Sequence, residues 1–335
     1  MSAADTTCRL PKQLYIESTN RCNLKCKGCI HYKGPWEASR DISIEELCRI
    51  TDQLPELERV ALHGIGEPLL NDQLPAMIRY LKARGAFVLI NSNGILLNDQ
   101  WRRTLIDSGL DELRISLDAA SSSGYARMRG SDKFDHLLGN IKALKALQTA
   151  RHTHTPSLSL WYLGTKDNIA ELPDVVRLAA DMAVDEVYLQ RLVYFHDDPG
   201  YGVAVPQKTL QDSDAEFMAL IQECRELART LGIAFNCSGL CRPEESLQSG
   251  SESEKPWRKC FRSSTLMYIT ARGNVLPCCI APFATTDYQS IILGNVFDMS
   301  IEEIWTGERY SHFRKKQRSA APPKCCRGCG VLWSL

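Results

Sequence analysis

This chain of 335 residues has no net charge: 40 Lys and Arg balance 40 Asp and Glu. A nucleic-acid-binding domain normally carries a basic excess, so no nucleic-acid partner is expected. No apolar run reaches the length of a membrane span, so no membrane association is expected either. The first ten residues are polar and lack the apolar stretch of an export signal, which points to a cytoplasmic protein. Apolar residues are not scarce, at 44% against 24% charged, and this excludes a disordered chain. The length allows one large core, or a core with a small appendage. One more absence is local. There are 14 cysteines, yet none lies between Cys48 and Cys224. Grouped cysteines in a chain without an export signal mark metal or redox chemistry rather than disulfides. Two separate sites flanking a cysteine-free scaffold are therefore expected.

The scaffold alternates. Short apolar runs at 14–17, 59–64, 86–91, 112–117, 157–163 and 186–191 read as strands. Amphipathic stretches at 44–54, 74–84, 99–108, 134–148, 169–182 and 214–231 read as helices, the first opened by a Ser43/Glu46 capping box. Such alternation predicts an α/β fold with a parallel sheet closed or partly closed like a barrel, a partial (β/α)6 TIM-like barrel. Residues 233–235 could add a strand. The Ser- and Glu-rich stretch 241–255 reads as a loop. Beyond it, 266–270 and 275–278 flank a hairpin turn, and 300–317 reads as one helix. The expected division is a tail at 1–13, a barrel at 14–235, a linker at 236–259 and a small cysteine-rich α+β extension at 260–335. The extension is too small for a robust core and needs a metal or docking on the barrel.

After the first strand comes Cys22-Asn-Leu-Lys-Cys26-Lys-Gly-Cys29, with C-x3-C-x2-C spacing. Three thiolates can hold a [4Fe–4S] cube with one iron left open. The plain alternative is zinc completed by His31. Further motifs follow at strand ends: His63-Gly-Ile-Gly66-Glu67-Pro68, Asn91-Ser-Asn93-Gly94 and Arg114-Ile-Ser116-Leu-Asp118. Together these resemble the radical S-adenosylmethionine (SAM) superfamily over about residues 14–190. The resemblance implies a cluster on Cys22, Cys26 and Cys29, with SAM held by Gly66, Glu67, Asn93, Ser116 and Asp118. Glu67 would take the ammonium of SAM, and Ser116 and Asp118 would lie near the ribose. Gly28 stands where many members have an aromatic residue packing near the adenine, so that role falls to Tyr32 or to backbone. Ile65 replaces the usual first glycine of the motif. The implied chemistry is one-electron cleavage of SAM to a 5′-deoxyadenosyl radical that abstracts a substrate hydrogen.

In the tail, Cys260-x12-Gly273-x4-Cys278 and Cys326-x2-Cys329 resemble the SPASM/twitch extension of that superfamily. The short stretch after Cys329 favours the twitch form, with one auxiliary [4Fe–4S] cluster on Cys260, Cys278, Cys326 and Cys329. Cys279 and Cys325 leave the register open by one, and a four-cysteine zinc site is the alternative. The cysteine spacing resembles the twitch dehydrogenase of aminocyclitol biosynthesis, in which the auxiliary cluster accepts an electron from the substrate. Peptide-modifying relatives, by oxidation, cross-linking or epimerisation, form a second reading. It is weakened by the 21 residues before Cys22, too few for a leader-binding domain. A non-catalytic, zinc-stabilised binding protein is the alternative of another class. Implied partners are a small-molecule or peptide substrate and a one-electron reductant such as flavodoxin or ferredoxin. Cys237 and Cys241 follow the last barrel strand. A thiol there could donate a hydrogen atom, against the plainer reading of two loop cysteines.

Overall fold

The computed structural model describes residues 9–195, 200–210, 215–238, 243, 255–327 and 329. Cys241 lies outside the described residues. Each of the six expected strands is present: β1 (Gln13–Ile16), β2 (Arg59–Ala61), β3 (Phe87–Ser92), β4 (Glu112–Ser116), β5 (Ser157–Gly164) and β6 (Glu186–Arg191). A seventh, β7 (Ala234–Cys237), follows them. All seven pair in parallel in chain order, giving a partial barrel. Val88, Leu89 and Ile90 on β3 are all buried, as expected for a strand covered on both faces.

The crossovers carry α2 (Ile44–Thr51), α3 (Leu74–Ala83), α4 (Asp99–Asp107), α6 (Phe134–Ala150), α7 (Leu172–Asp181) and α8 (Ala215–Leu231). Ser43 and Glu46 form the expected capping box at the start of α2. Two helices of the barrel were not expected. One is α1 (Ile30–Lys33), a single turn after Cys29. The other is α5 (Ser122–Arg129), capped by Ser121 and ended by Gly130 in the left-handed conformation.

The extension continues the same sheet. Strand β8 (Leu266–Ile269) lies parallel to β1, with Leu14 opposite Met267 and Ile16 opposite Ile269. Strand β9 (Asn274–Leu276) returns antiparallel to β8 through a turn that needs the positive φ of Gly273, +80°. The edge strand β10 (Gly294–Asn295) pairs with β9. Among the described residues the sheet has ten strands, and β7 and β10 are its edges. After the short α9 (Ala281–Ala284), the stretch expected as one helix is two, α10 (Ile301–Thr306) and α11 (Glu308–Gln317). They break at Gly307, whose backbone turns extended, with ψ 164°. Fully buried Trp305 on α10 donates its indole N–H to the Arg9 carbonyl at 3.0 Å, which fastens the described N-terminus beneath the extension.

Candidate active site at the carboxyl ends of the strands

Cys22, Cys26 and Cys29 lie in the loop between β1 and α1, and all three line one cavity of about 270 Å³. Backbone hydrogen bonds fix the loop. Cys29 N–H donates to Cys26 O at 3.0 Å, Lys27 N–H to Met128 O at 3.1 Å, and Val203 N–H to Lys27 O at 3.1 Å. Gly28 is pressed against the side chains of Leu163 and Val203, so a side chain there would displace them. Burial pushes the thiol of Cys22 up to about 11 and that of Cys29 up to about 12, and the neighbouring cysteines add to both shifts.

The segment His63–Pro68 leaves β2 and folds against that loop. Glu67 N–H donates to the Arg21 carbonyl at 2.8 Å. A side chain at Gly66 would run into the Thr19 carbonyl, which explains the glycine. Ile65 N–H donates to buried Glu17 at 2.9 Å, and the Ile65 side chain packs on the small cluster around Ile30 and Phe195. Glu67 is 2% exposed, and its carboxylate accepts from Ser92 Oγ at 2.7 Å, Asn93 N–H at 2.7 Å and Leu69 N–H at 3.1 Å. Burial raises its carboxyl above the usual range and these three donors oppose that. His63 also lines the cavity, edge-on to Tyr15 at 5.1 Å. Burial, helped by Arg114 and Arg59, lowers its imidazole to about 3, so it is neutral.

Gly66, Glu67, Asn93, Ser116 and Asp118 all line the cavity with the three cysteines. Asn93 and Asp118, like Glu67, are already engaged. Asn93 donates to Asn23 at 2.7 Å and accepts from Ile95 N–H at 3.0 Å. Asp118 pairs with Arg129 at 2.6 Å and accepts from Leu163 N–H at 2.9 Å. Arg129 was not anticipated. It stands in the last turn of α5, with Nη1 3.8 Å from Cys26 Sγ and a buried Nε without a hydrogen-bond partner among the described residues. Burial disfavours its charge, but Asp118 and Cys26 hold its pKa above the usual value. Tyr32 does not face the cavity. It is 50% exposed, because α1 turns Ile30 inward and Tyr32 outward. Met128, Leu163 and Val193 supply apolar wall instead.

The far side of the cavity comes from the extension, through Arg262, Tyr268, Cys279, Ile280 and Phe283. The cysteines of the tail act on one another. Cys278 feels Cys279, Cys325 and Cys329; Cys326 feels Cys325, Cys278 and Cys329; Cys329 feels Cys260 and Cys325. The four cysteines expected as ligands therefore share one neighbourhood with Cys279 and Cys325. Buried Cys237 is at the end of β7 and is not part of the cavity lining.

The family model of the radical SAM superfamily matches residues 16–179, and that of the SPASM iron–sulfur cluster-binding domain matches residues 260–330. The chain belongs to the radical SAM superfamily. As a radical SAM protein with a SPASM domain, it binds a [4Fe–4S] cluster and SAM in the first domain and auxiliary iron–sulfur in the second. It is 28% identical over 332 residues to a tungsten-containing aldehyde ferredoxin oxidoreductase cofactor-modifying protein of Pyrococcus furiosus, covering 94% of this chain and 86% of that one. It is 25% identical over 329 residues to a PqqA peptide cyclase of Granulibacter bethesdensis, covering 97% and 81%. Its fold matches that of Streptococcus suis SuiB bound to SAM with a TM-score of 0.71 at 17% identity, covering 92% of this chain and 68% of that one.

The donor sets of this radical SAM chain fit such groups. Crowded, buried thiols raise one another's pKa, and a cationic iron–sulfur core would relieve that. Among the described residues, no three Cys, His, Asp or Glu side chains are grouped so as to hold one metal ion. No described helix is long and apolar enough to cross a membrane.

Proposed function

We propose that this protein oxidises a substrate held in the cavity between its two cysteine groups, with Cys22, Cys26 and Cys29 holding the SAM-binding cluster and Cys260, Cys278, Cys326 and Cys329 one auxiliary [4Fe–4S] cluster. One observation carries the reading: a single cavity is lined both by the three barrel cysteines and by residues of the cysteine-bearing extension, Arg262 and Cys279 among them. When bound, the first cluster and SAM supply a hydrogen-abstracting radical, and the second cluster supplies an electron acceptor. The protein's own residues bind and orient. The remaining lone pairs of Glu67 suit the ammonium of SAM, and the unpartnered Nε of Arg129 suits its carboxylate. Neutral His63, Tyr15 and Trp161 line the cavity and help exclude water.

The relatives named as PqqA peptide cyclases favour a peptide as substrate. The cofactor-modifying relative keeps a small molecule as the second reading. A one-electron carrier of the flavodoxin or ferredoxin type would reduce the first cluster.

The test is Cys326→Ser, shown first by circular dichroism to be folded. It should still form 5′-deoxyadenosine with dithionite and SAM, and should fail to release oxidised product. Equal product yield would make the second cluster a structural staple. Loss of all SAM cleavage would place it on the electron's inward path.

A further inference from the structure

Four arginines line the cavity, at 114, 129, 191 and 262, against two carboxylates, Glu67 and Asp118. Arg114 donates to Glu112 at 2.6 Å and Arg129 to Asp118 at 2.6 Å. Arg262 is different. It is 5% exposed, and no carboxylate among the described residues pairs with it. Its Nη1 lies 3.3 Å from Cys279 Sγ, and its buried Nη2 has no hydrogen-bond partner among the described residues. Cys279 lines the cavity beside it and falls outside the spacing of the four ligand cysteines. Arg262 and Cys279 belong to the extension, whereas Arg129 stands at Cys26 on the barrel side. Of the four arginines, Arg129 and Arg262 each carry a buried N–H without a hydrogen-bond partner among the described residues, one on each side of the cavity, and the carboxylate of SAM can occupy only one of them. Cys279, Cys278 and Cys260 favour the charge of Arg262, but its buried Nη2 still lacks an acceptor, and the flat guanidinium fork matches carboxylate and phosphate oxygens.

We propose that Arg262 is a specificity-determining residue that receives an oxyanion group of the substrate, carboxylate or phosphate, beside Cys279. The inference rests on the reading of the cavity as the substrate site.

The test uses the reconstituted holoprotein under anaerobic conditions, saturated with SAM and without reductant. Cys279 is alkylated with iodoacetate, an anion, or with neutral iodoacetamide, and the rates are read by peptide mapping. The ratio of the two rates cancels reactivity differences between thiols, and half-buried Cys48 is the internal reference. An oxyanion site should raise the iodoacetate preference at Cys279 about tenfold over that at Cys48, the scale of one charge-assisted contact. Glutarate or inorganic phosphate should slow iodoacetate more than iodoacetamide, and whichever is effective tells a carboxylate from a phosphate source. Arg262→Gln should reduce the ratio to the Cys48 value, while Arg262→Lys keeps part of it. If Arg262→Gln fails to fold, the lysine variant and the wild-type competition still decide. An equal ratio at the two cysteines, no competition by either anion, or no labelling of Cys279 would each overturn the proposal. The last would make Cys279 a cluster ligand. Failure of the underlying reading is distinct: the wild-type holoprotein would lack iron–sulfur absorbance and would not cleave SAM.

Discussion

Glu67 has two tasks that a change at this residue separates. Its carboxylate braces the third-strand loop through Ser92 and Asn93 and caps its own turn through Leu69, and it also lines the cavity. Glu67→Ala should weaken SAM binding at least about tenfold, as expected for a charge-assisted hydrogen bond worth roughly 1.5–3 kcal/mol. Glu67→Gln retains a carbonyl oxygen for Ser92 and Leu69 and should recover stability more than affinity. Calorimetric titration with SAM and the thermal midpoint read the two effects. Unchanged affinity in both variants would leave Glu67 as a brace alone. At this scale the sequence was informative where residues come as contiguous motifs. Cys22, Cys26, Cys29, Gly66, Glu67, Asn93, Ser116 and Asp118 line one cavity because each motif leaves the carboxyl end of its strand. Isolated residues were not legible. Arg129 and Arg262 have no spacing signature, and only their burial beside a cysteine singles them out. Tyr32 misled because the single turn of α1 sets its direction.

Glu17 links elements. It follows β1 and accepts from Ile65 N–H in the motif loop, and from Tyr268 Oη at 2.6 Å and Ala271 N–H at 3.1 Å in the extension. Burial lifts its carboxyl from 4.5 to about 6, while these donors pull it down. The folded protein thus keeps a proton that the unfolded chain has released. The stability linked to that proton is fully present below pH 4.5 and is lost as pH rises through 6, a change of about 2 kcal/mol. Glu17→Gln cannot titrate. The stability of wild type minus that of the variant, from urea unfolding, should therefore fall by about 2 kcal/mol between pH 4.5 and 7. A difference that stays level with pH would show that Glu17 ionises as freely as in the unfolded chain. The long periodic helices were legible as elements. The turn of α5 was not read, although its caps, Ser121 and Gly130, stand in the sequence. The split between α10 and α11 depends on the extended backbone of one glycine inside an otherwise continuous pattern.

At the scale of the molecule, barrel and extension share a sheet. Periodicity announced the strands, but pairing between residues about 250 positions apart leaves no local trace, so the seam of β8 on β1 came only from the structure. Removing residues 260–335 should therefore do more than remove a cluster. It would strip one side of β1 and open the cavity to water. The truncated chain should aggregate on expression and form no 5′-deoxyadenosine when reconstituted. A soluble, monomeric 1–259 fragment that cleaves SAM at the full-length rate would contradict this.

The same seam has a consequence for biosynthesis. Strand β1 leaves the ribosome about 250 residues before its partner β8. At roughly 5–20 residues per second, on the order of tens of seconds separate them. Throughout that interval Leu14, Tyr15 and Ile16 present an unpaired edge to the cell, the kind of edge that recruits foreign strands. The nascent chain would thus depend on chaperones well before either iron–sulfur site could be filled.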